Sequence, residues 1–319
     1  MWIGLVGSEM CIRDSTISAV NASSSSLIDL RNATLKNEKG GGGYISQVGK
    51  KTLGYTIAFN STGNCVIENA IGSTFGDRIL GNSTANSIVG NSGNDIIKGL
   101  YGNDILNGGS GNDTINGGSG QDTAVFSDKS NRIKLATRKK QNTRDGKDIL
   151  ISIENVNAGG GNDIVIGSKS GNVLNGESGN DRLTGAGGND TLYGGDGNDR
   201  LVGGTGQDTA VFSEKSNIVN LATRKKQDTR DGKDILIGIE NVNAGGGDDI
   251  VTGSKSGNVL NGEAGDDVLY GGSGNDRLTG GSGDDIFQIK KGRGKALITD
   301  YTSGEDRIQL LGGLTESEL

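Results

Sequence analysis

The sequence contains no histidine and no proline among its 319 residues, and only two cysteines. Without histidine it cannot form a Ser-His-Asp triad, a Cys-His pair or an HExxH zinc helix. Hydrolysis by carboxylates alone stays open because acidic residues are abundant, but no acidic pair stands out from a repeated pattern. We therefore expect no catalytic centre in this stretch, and any catalytic domain would have to lie outside it.

Large apolar side chains are also scarce, with 31% hydrophobic and 4% aromatic residues. Such a chain cannot easily build one conventional globular core of its length, and composition alone would permit a glycine-rich linker. The two cysteines, Cys11 and Cys65, exclude a disulfide framework. No apolar run is long enough to predict a transmembrane segment. With a formal net charge of -7, the basic stretches 138–140 and 224–226 are interpreted as solvated faces and not as nucleic-acid contacts.

The two ends of the chain differ from the rest. Residues 1–15 read MWIGLVGSEMCIRDS and lack the basic start and long apolar core of a signal peptide. They resemble adapter-derived translation, so we expect them to be a non-native artefact. The other end stops abruptly at LLGGLTESEL. Both ends predict a fragment of a longer protein.

Glycine is abundant instead, with 59 residues, and its placement is regular. From Gly90 the chain reads GNSGNDIIK, GLYGNDILN, GGSGNDTIN and GGSGQDTAV, four consecutive copies of G-G-x-G-x-D-x-U-x in which U is apolar. The chain holds 17 such units in three blocks, and the eighth position is apolar in all of them. The sixth position is Asp in 14 units and Asn in three, namely Asn86, Asn172 and Asn258. A flexible linker would not need Gly, Asp and apolar residues at fixed positions of a nine-residue repeat.

A longer period of 86 residues lies over the short one. Gln121–Phe126 recurs as Gln207–Phe212, and the segments LATRKKQ and TRDGKDILI recur after it. The blocks and the segments between them predict the domain organisation. We predict an N-terminal β segment over 16–71, β-rolls over 72–126, 158–212 and 244–288, β inserts over 127–157 and 213–243, and a truncated C-terminal β cap over 289–319.

Each unit combines a glycine-rich turn with a very short strand. The residues D-x-U-x alternate like a strand, and the preceding glycines permit positive φ and close backbone approach. Two units then close one coil of 18 residues, and stacked coils form parallel ladders around a thin core of U side chains. The sequence therefore predicts an all-β fold, a right-handed parallel β-roll (β-solenoid), with three rolls in series joined by short β inserts.

The turns also predict an ion site. Turns stacked on the same edge are two units apart, so their acids should pair 18 residues apart. The sequence supplies such pairs as Asp95 with Asp113, Asp104 with Asp122, Asp181 with Asp199, Asp190 with Asp208, and Asp267 with Asp285. Stacked carboxylates repel one another without a cation, and carboxylates with carbonyls suit Ca²⁺ better than Mg²⁺ or zinc.

The repeats resemble those of the RTX (repeats-in-toxin) family, whose nonapeptide binds calcium. The resemblance implies ions between turns, where one turn supplies the carbonyls of its second and fourth positions with its Asp, and the other its first and third with its Asp. One implied site joins Asn91, Gly93 and Asp95 to Gly108, Ser110 and Asp113, and another joins Ala186, Gly188 and Asp190 to Gly203, Thr205 and Asp208. The remaining implied ligands are Asp77, Gly102, Asp104, Gly117, Ser119, Asp122, Gly161, Asp163, Gly179, Asp181, Gly194, Asp196, Asp199, Gly247, Asp249, Gly265, Asp267, Asp276, Gly280, Ser282 and Asp285. Full sites are not expected at the three units with Asn in the sixth position, because they lack the charge.

The resemblance extends beyond the repeats. Residues 27–90, with LIDLRNA, GYTIAFN and IENAIGS, are similar to the C-terminal domain of serralysin-type metalloproteases, and ALITDYTSGEDRIQL resembles the strand cap that closes such rolls. The zinc helix of those proteases does not occur in this sequence, so the resemblance does not imply protease activity.

Three functions stay open at this point. The first is a calcium-gated folding module of a secreted, extracellular protein, which takes up several calcium ions and leaves the cell unfolded through type I secretion machinery. The second is the C-terminal part of a secreted metalloprotease, and the third is a spacer within a large adhesin. Two simpler interpretations are disfavoured. Asp chosen for turn propensity alone does not explain the fixed offsets of Gly and U, and a phosphate-binding glycine loop lacks its following helix.

Overall fold

The computed structural model describes residues 4–6, 16–30, 47–48, 68–292 and 294–318. Both Cys11 and Cys65, together with the segment GYTIAFN, lie outside the described residues. The chain divides into two compact units, Met1–Gly159 and Gly160–Leu319. Nearly all of the regular structure in each unit is β-strand.

The first unit holds 15 of the described strands. They are β1 (Gly4–Val6), β2 (Thr16–Ser18), β3 (Ser26–Asp29), β4 (Gln47–Val48), β5 (Asn69–Ile71), β6 (Arg78–Leu80), β7 (Ser87–Val89), β8 (Ile96–Tyr101), β9 (Ile105–Asn107), β10 (Thr114–Ser119), β11 (Thr123–Val125), β12 (Arg132–Lys134), β13 (Gln141–Asn142), β14 (Lys147–Ile151) and β15 (Asn155–Asn157). Residues 4–6 belong to the segment that we expected to be a non-native artefact. They form β1 and pair antiparallel with β2.

The second unit continues with strands β16 to β32 and one short 3₁₀ helix, Glu316–Glu318. The strands are β16 (Ile164–Ile166), β17 (Val173–Asn175), β18 (Arg182–Gly187), β19 (Thr191–Tyr193), β20 (Arg200–Thr205), β21 (Thr209–Val211), β22 (Ile218–Asn220), β23 (Gln227–Asp228), β24 (Lys233–Ile237), β25 (Asn241–Asn243), β26 (Ile250–Thr252), β27 (Val259–Ala264), β28 (Val268–Tyr270), β29 (Gly274–Ser282), β30 (Ile286–Lys290), β31 (Gly294–Ile298) and β32 (Arg307–Leu311). No helix in the described part of the chain is long and apolar enough to cross a membrane.

Strands of successive coils pair in parallel, with an offset of two nonapeptides. In the first unit Ile97 lies opposite Ile115, and in the second Leu183 lies opposite Leu201. The predicted all-β, parallel β-roll is confirmed. The offset follows from the sequence, because two short strands and two turns complete one coil before the chain returns to the same edge.

The core of each unit is a stack of single apolar side chains from the eighth position of the repeat. All of them are at most 1% exposed to solvent. In the first unit they are Ile79, Ile88, Ile97, Leu106, Ile115 and Ala124, and in the second Val165, Leu174, Leu183, Leu192, Leu201, Ala210, Val251, Leu260, Leu269, Leu278 and Phe287. Their flanking residues point outward, as period-two alternation requires.

The inserts continue the ladders of the rolls that precede them. In the first unit β14 pairs in parallel with β10, so that Ile115 lies opposite Leu150, and β15 pairs with β11. In the second unit β24 pairs with β20 and β25 pairs with β21. Each insert therefore acts as one irregular coil, in which the offset between paired strands is 35 residues on one edge and 32 on the other.

The insert of the second unit also starts a new ladder. Its strand β22 pairs with β26 of the third roll, while β23 and β24 form an antiparallel pair. On one edge of the coil a new sheet therefore begins with β22 and β26. On the other edge a single sheet continues through β21, β25 and β27. The C-terminal strands extend both sheets, because β31 pairs in parallel with β29 and β32 pairs with β30.

Candidate metal centre

The sixth-position aspartates line the edges of the coils, in the turns just before the strands. Each has its side chain inside the turn and is at most 5% exposed. These buried residues are Asp77, Asp95, Asp104, Asp113, Asp122, Asp163, Asp181, Asp190, Asp199, Asp208, Asp249, Asp267, Asp276 and Asp285. Buried carboxylates are rare unless a hydrogen bond or a cation compensates them, so each needs a physical explanation.

One carboxylate oxygen of nearly every one of these residues is compensated by the backbone of the preceding coil. The N–H of Asp95 donates to Asp113 Oδ1 at 2.8 Å, and the N–H of Asp104 donates to Asp122 Oδ1 at 2.9 Å. The same bond joins Asp181 to Asp199, Asp190 to Asp208, and Asp267 to Asp285. The structure therefore brings together the acids that the sequence places 18 residues apart.

The second carboxylate oxygen has no hydrogen-bond partner in most of these turns. This holds for Oδ2 of Asp95, Asp104, Asp113, Asp122, Asp181, Asp190, Asp199, Asp208, Asp249 and Asp267. An unpartnered buried oxygen that carries charge is expensive to leave unsatisfied. The repetition of one orphan atom at equivalent positions indicates a missing ligand and not a local packing defect.

All of these oxygens except that of Asp249, whose unit begins with Ala244, lie next to a glycine at the position where any other residue would place its Cβ. A Cβ added to Gly90 would collide with Asp95 Oδ2 and would lie 2.5 Å from the carbonyl oxygen of Gly108 on the next coil. Both oxygens therefore converge on one point next to the Cα of Gly90. A convergent carboxylate and carbonyl are the hard oxygen donors that Ca²⁺ prefers.

Carbonyls in the third position of the turns also hold the coils together. Ser110 O accepts the N–H of Gly93 at 2.8 Å, and Ser119 O, Asp196 O and Ser282 O accept equivalent bonds from Gly102, Gly179 and Gly265. A carbonyl has two lone pairs, so these oxygens keep a second acceptor position for an ion. Within the described residues no group of three or more acidic or cysteine side chains surrounds one point. The candidate ligands are therefore pairs of carboxylates together with main-chain oxygens.

A comparison with protein-family models finds the RTX calcium-binding nonapeptide repeat over residues 71–99, 89–124, 157–192, 175–210 and 252–287. The nonapeptide segments of this chain therefore match the RTX calcium-binding repeat. RTX repeats bind Ca²⁺ at multiple sites, and the stacked buried aspartates fit this role. The repeat is a structural calcium-binding unit and not a catalytic one. A search of curated proteins finds none that matches the chain.

Burial also changes the acidity of the RTX aspartates. Desolvation, with a smaller contribution from the stacked neighbouring carboxylates, raises the pKa of Asp95, Asp104, Asp181, Asp199, Asp249 and Asp267 to about 7. The pKa of Asp113 and of Asp190 rises to about 6 for the same reasons. Without a cation the folded turns thus hold protons near neutral pH.

These shifts predict opposite pH dependences with and without calcium. A pKa raised in the folded state means that the calcium-free roll is most stable below the ordinary value near 4, and that this stability is lost as pH rises through about 7. Calcium needs the ionised carboxylates, so its affinity should rise over the same range. Circular dichroism in calcium-free buffer at about pH 5 and pH 8, with calcium titrations at both, measures the two trends. Equal strand content without calcium and a pH-independent affinity would contradict the assignment.

Asp77 lies in a turn of a different kind from the other RTX aspartates. Its Oδ2 accepts the N–H of Ser73 at 2.5 Å and the Ser73 hydroxyl at 2.9 Å. The turns with Asn resemble it, because Asn86 Oδ1 accepts the N–H of Asn82 and Asn258 Oδ1 accepts the N–H of Ser254. Ser or Asn in the second position, combined with a residue other than Gly in the fourth, is the sequence signal for these turns, whose side chains satisfy one another.

Three aspartates outside the 17 repeat units continue the ladders. Asp113 and Asp199 donate their N–H groups to Asp148 and Asp234 in the inserts, and Asp285 donates to Asp306 in the C-terminal segment. The sequence does carry the signal. TRDGKDILI has Asp, Leu and Ile at the sixth, eighth and ninth positions of a nonapeptide, and its Leu150 and Leu236 are buried.

Proposed function

We propose that this chain is a calcium-dependent folding module of a secreted RTX protein. The observation that carries the proposal is the column of buried aspartate oxygens without partners, repeated from coil to coil. Such a column destabilises the folded chain at neutral pH unless a divalent cation neutralises it. Ion binding and folding are then parts of one equilibrium.

The calcium-free chain has little else to hold it folded. Most nonapeptides bury only one apolar side chain, and the glycine-rich turns lose more backbone entropy on folding than ordinary residues do. Many of these glycines adopt positive φ, which the unfolded chain is under no constraint to keep. Several ions per roll supply the missing stability.

The expected affinity favours folding outside the cell. Extracellular calcium modules bind with dissociation constants of about 10⁻⁴–10⁻³ M, so such sites stay empty in the cytosol and fill outside it. A chain that is unfolded before export suits type I secretion machinery, which we infer to be its partner. The proposed location is therefore extracellular.

A calcium titration of the purified chain tests the proposal. At about pH 8, where the aspartates are ionised, circular dichroism in chelator should show little strand structure, and strand structure should appear cooperatively with a midpoint near about 10⁻⁴–10⁻³ M calcium. Mg²⁺ at the same concentration is the control and should be much less effective, because it prefers near-ideal octahedral sites. A fully folded roll in excess chelator would rule the proposal out.

A second candidate for the whole protein is an adhesin spacer. The ladder bond from Asp113 to Asp148 recurs 86 residues later as the bond from Asp199 to Asp234, at the same 2.7 Å. A repeated module of this kind suits a tandem array.

A third candidate, the C-terminal region of a serralysin-like metalloprotease, has support in the parallel pairing of β3 with β6. Sequencing the full gene separates them, since an array predicts further 86-residue modules and a protease predicts an upstream HExxH.

A further inference from the structure

The last aspartate of a roll faces an insert and not another nonapeptide. Asp122 and Asp208 hold this position, and both are completely buried. Oδ2 of each has no hydrogen-bond partner. Each therefore has the same burial and the same unpartnered oxygen as an aspartate in the middle of a roll, although no further nonapeptide follows it directly.

A glutamate of the insert replaces the missing aspartate. The N–H of Asp122 donates to Glu154 Oε2 at 3.1 Å, and the N–H of Asp208 donates to Glu240 Oε2 at 3.0 Å. One coil earlier, the same bond runs from Asp104 to Asp122 Oδ1 at 2.9 Å. The two glutamates thus occupy the place of the next carboxylate in the ladder.

A carbonyl of the insert completes the arrangement. A Cβ on Gly117 would collide with both Asp122 Oδ2 and Ser152 O, and a Cβ on Gly203 would collide with both Asp208 Oδ2 and Gly238 O. Inside the roll, the equivalent position at Gly99 is flanked by Asp104 Oδ2 and by Gly117 O at 2.7 Å. The same pair of donor types therefore converges at the insert.

The choice of glutamate follows from the shape of the insert. In a regular turn the acid follows the carbonyl residue by five positions, as Asp122 follows Gly117, whereas Glu154 follows Ser152 by only two. The chain bends sharply there, with φ of 48° at Ser152 and 58° at Gly238. The extra methylene of glutamate lets the carboxylate reach the ladder from this shorter bend.

We propose that each insert completes an additional calcium site, formed by Asp122, Glu154 and Ser152 O in the first case and by Asp208, Glu240 and Gly238 O in the second. The inference rests on the proposed function, because it extends the same ion ladder by one step. Carboxylate and carbonyl oxygens are suitable calcium ligands, and glutamate often binds this ion through both oxygens. The ions would then clamp each insert to the roll before it.

Counting bound ions tests the inference on the full chain. The variant Glu154→Gln/Glu240→Gln should bind two fewer calcium ions than the wild type in equilibrium dialysis at saturating calcium with metal analysis. The matched control is Glu263→Gln/Glu316→Gln, which removes the same charge from two exposed glutamates and should keep the full count. An unchanged count in the first variant would overturn the inference.

Two further outcomes keep the inference separate from the proposed function. A wild-type chain that binds no calcium contradicts the proposed function, whereas a wild-type chain that binds many ions and a variant that keeps them all contradict only the insert sites. If the variant does not fold, a crystal structure of the calcium-loaded wild type decides. An ion coordinated by Asp122 and Glu154 supports the inference, and a water molecule or an empty space there refutes it.

Discussion

Replacing Asp267 by asparagine should weaken the calcium-dependent stability of the third roll, whereas the same replacement at the adjacent Asp266 should change it little. Asp267 is completely buried, and its Oδ1 accepts the N–H of Asp249 at 2.8 Å. Its Oδ2 has no partner and, like the carbonyl of Gly280, lies against the Cα of Gly262. Asp266 is exposed. The two variants lose the same charge, so their difference reports the ion site.

The size of the effect follows from binding linkage. At about 10 mM calcium, with dissociation constants of about 10⁻⁴–10⁻³ M, one occupied site stabilises the folded chain by about 1.4–2.7 kcal/mol. Asp267 faces Asp249 on one coil and Asp285 on the other, so one or two sites weaken. The expected loss is therefore about 1.4–5 kcal/mol in the free energy of unfolding.

The sign of the effect should reverse when calcium is removed. Desolvation raises the pKa of Asp267 to about 7, so at pH 8 its ionised form opposes folding. Asparagine carries no charge and removes this penalty. Urea denaturation with calcium, and strand content by circular dichroism in chelator, give the two measurements. A variant that is destabilised equally in both conditions would show that Asp267 acts through packing and not through an ion.

Replacing Gly111 by alanine should disrupt the first roll even at saturating calcium. Gly111 has a φ of 145°, which residues with a side chain rarely adopt. A Cβ there would overlap the carbonyl oxygen of Gly93 on the preceding coil. Because that oxygen belongs to the backbone, the coils must separate to relieve the overlap. We expect a loss of more than about 3 kcal/mol in the free energy of unfolding, above the strain of the backbone conformation alone.

The control for this prediction is Gly292→Ala. A Cβ at Gly292 would meet only Lys290 O, at 3.8 Å, which is an ordinary contact. This variant should stay within about 0.5 kcal/mol of the wild type. Chemical denaturation of both variants at saturating calcium measures the difference. If Gly111→Ala were as stable as the control, the close stacking of the turns would be wrong.

The sequence determined the repeated part of the structure. The nonapeptide spacing predicted that Leu183 and Leu201 lie on adjacent coils and are buried, and both are. It also predicted the column of acids, because identical units stacked in register must place equivalent residues next to one another. For these residues the spacing along the sequence is enough to predict which residues are neighbours in the folded structure.

Only the tertiary structure decided what happens where the period breaks. The inserts pair at offsets of 35 and 32 residues, which no repeat of nine predicts, and this pairing brings Glu154 to Asp122. Asp77 holds the sixth position of its unit as Asp95 does, yet Ser73 satisfies its carboxylate. The physical reason is that spacing specifies neighbours only while the coils are equal in length. Once a coil is lengthened or a turn residue can donate a hydrogen bond, backbone pairing and side-chain contacts determine which oxygens stay available to an ion.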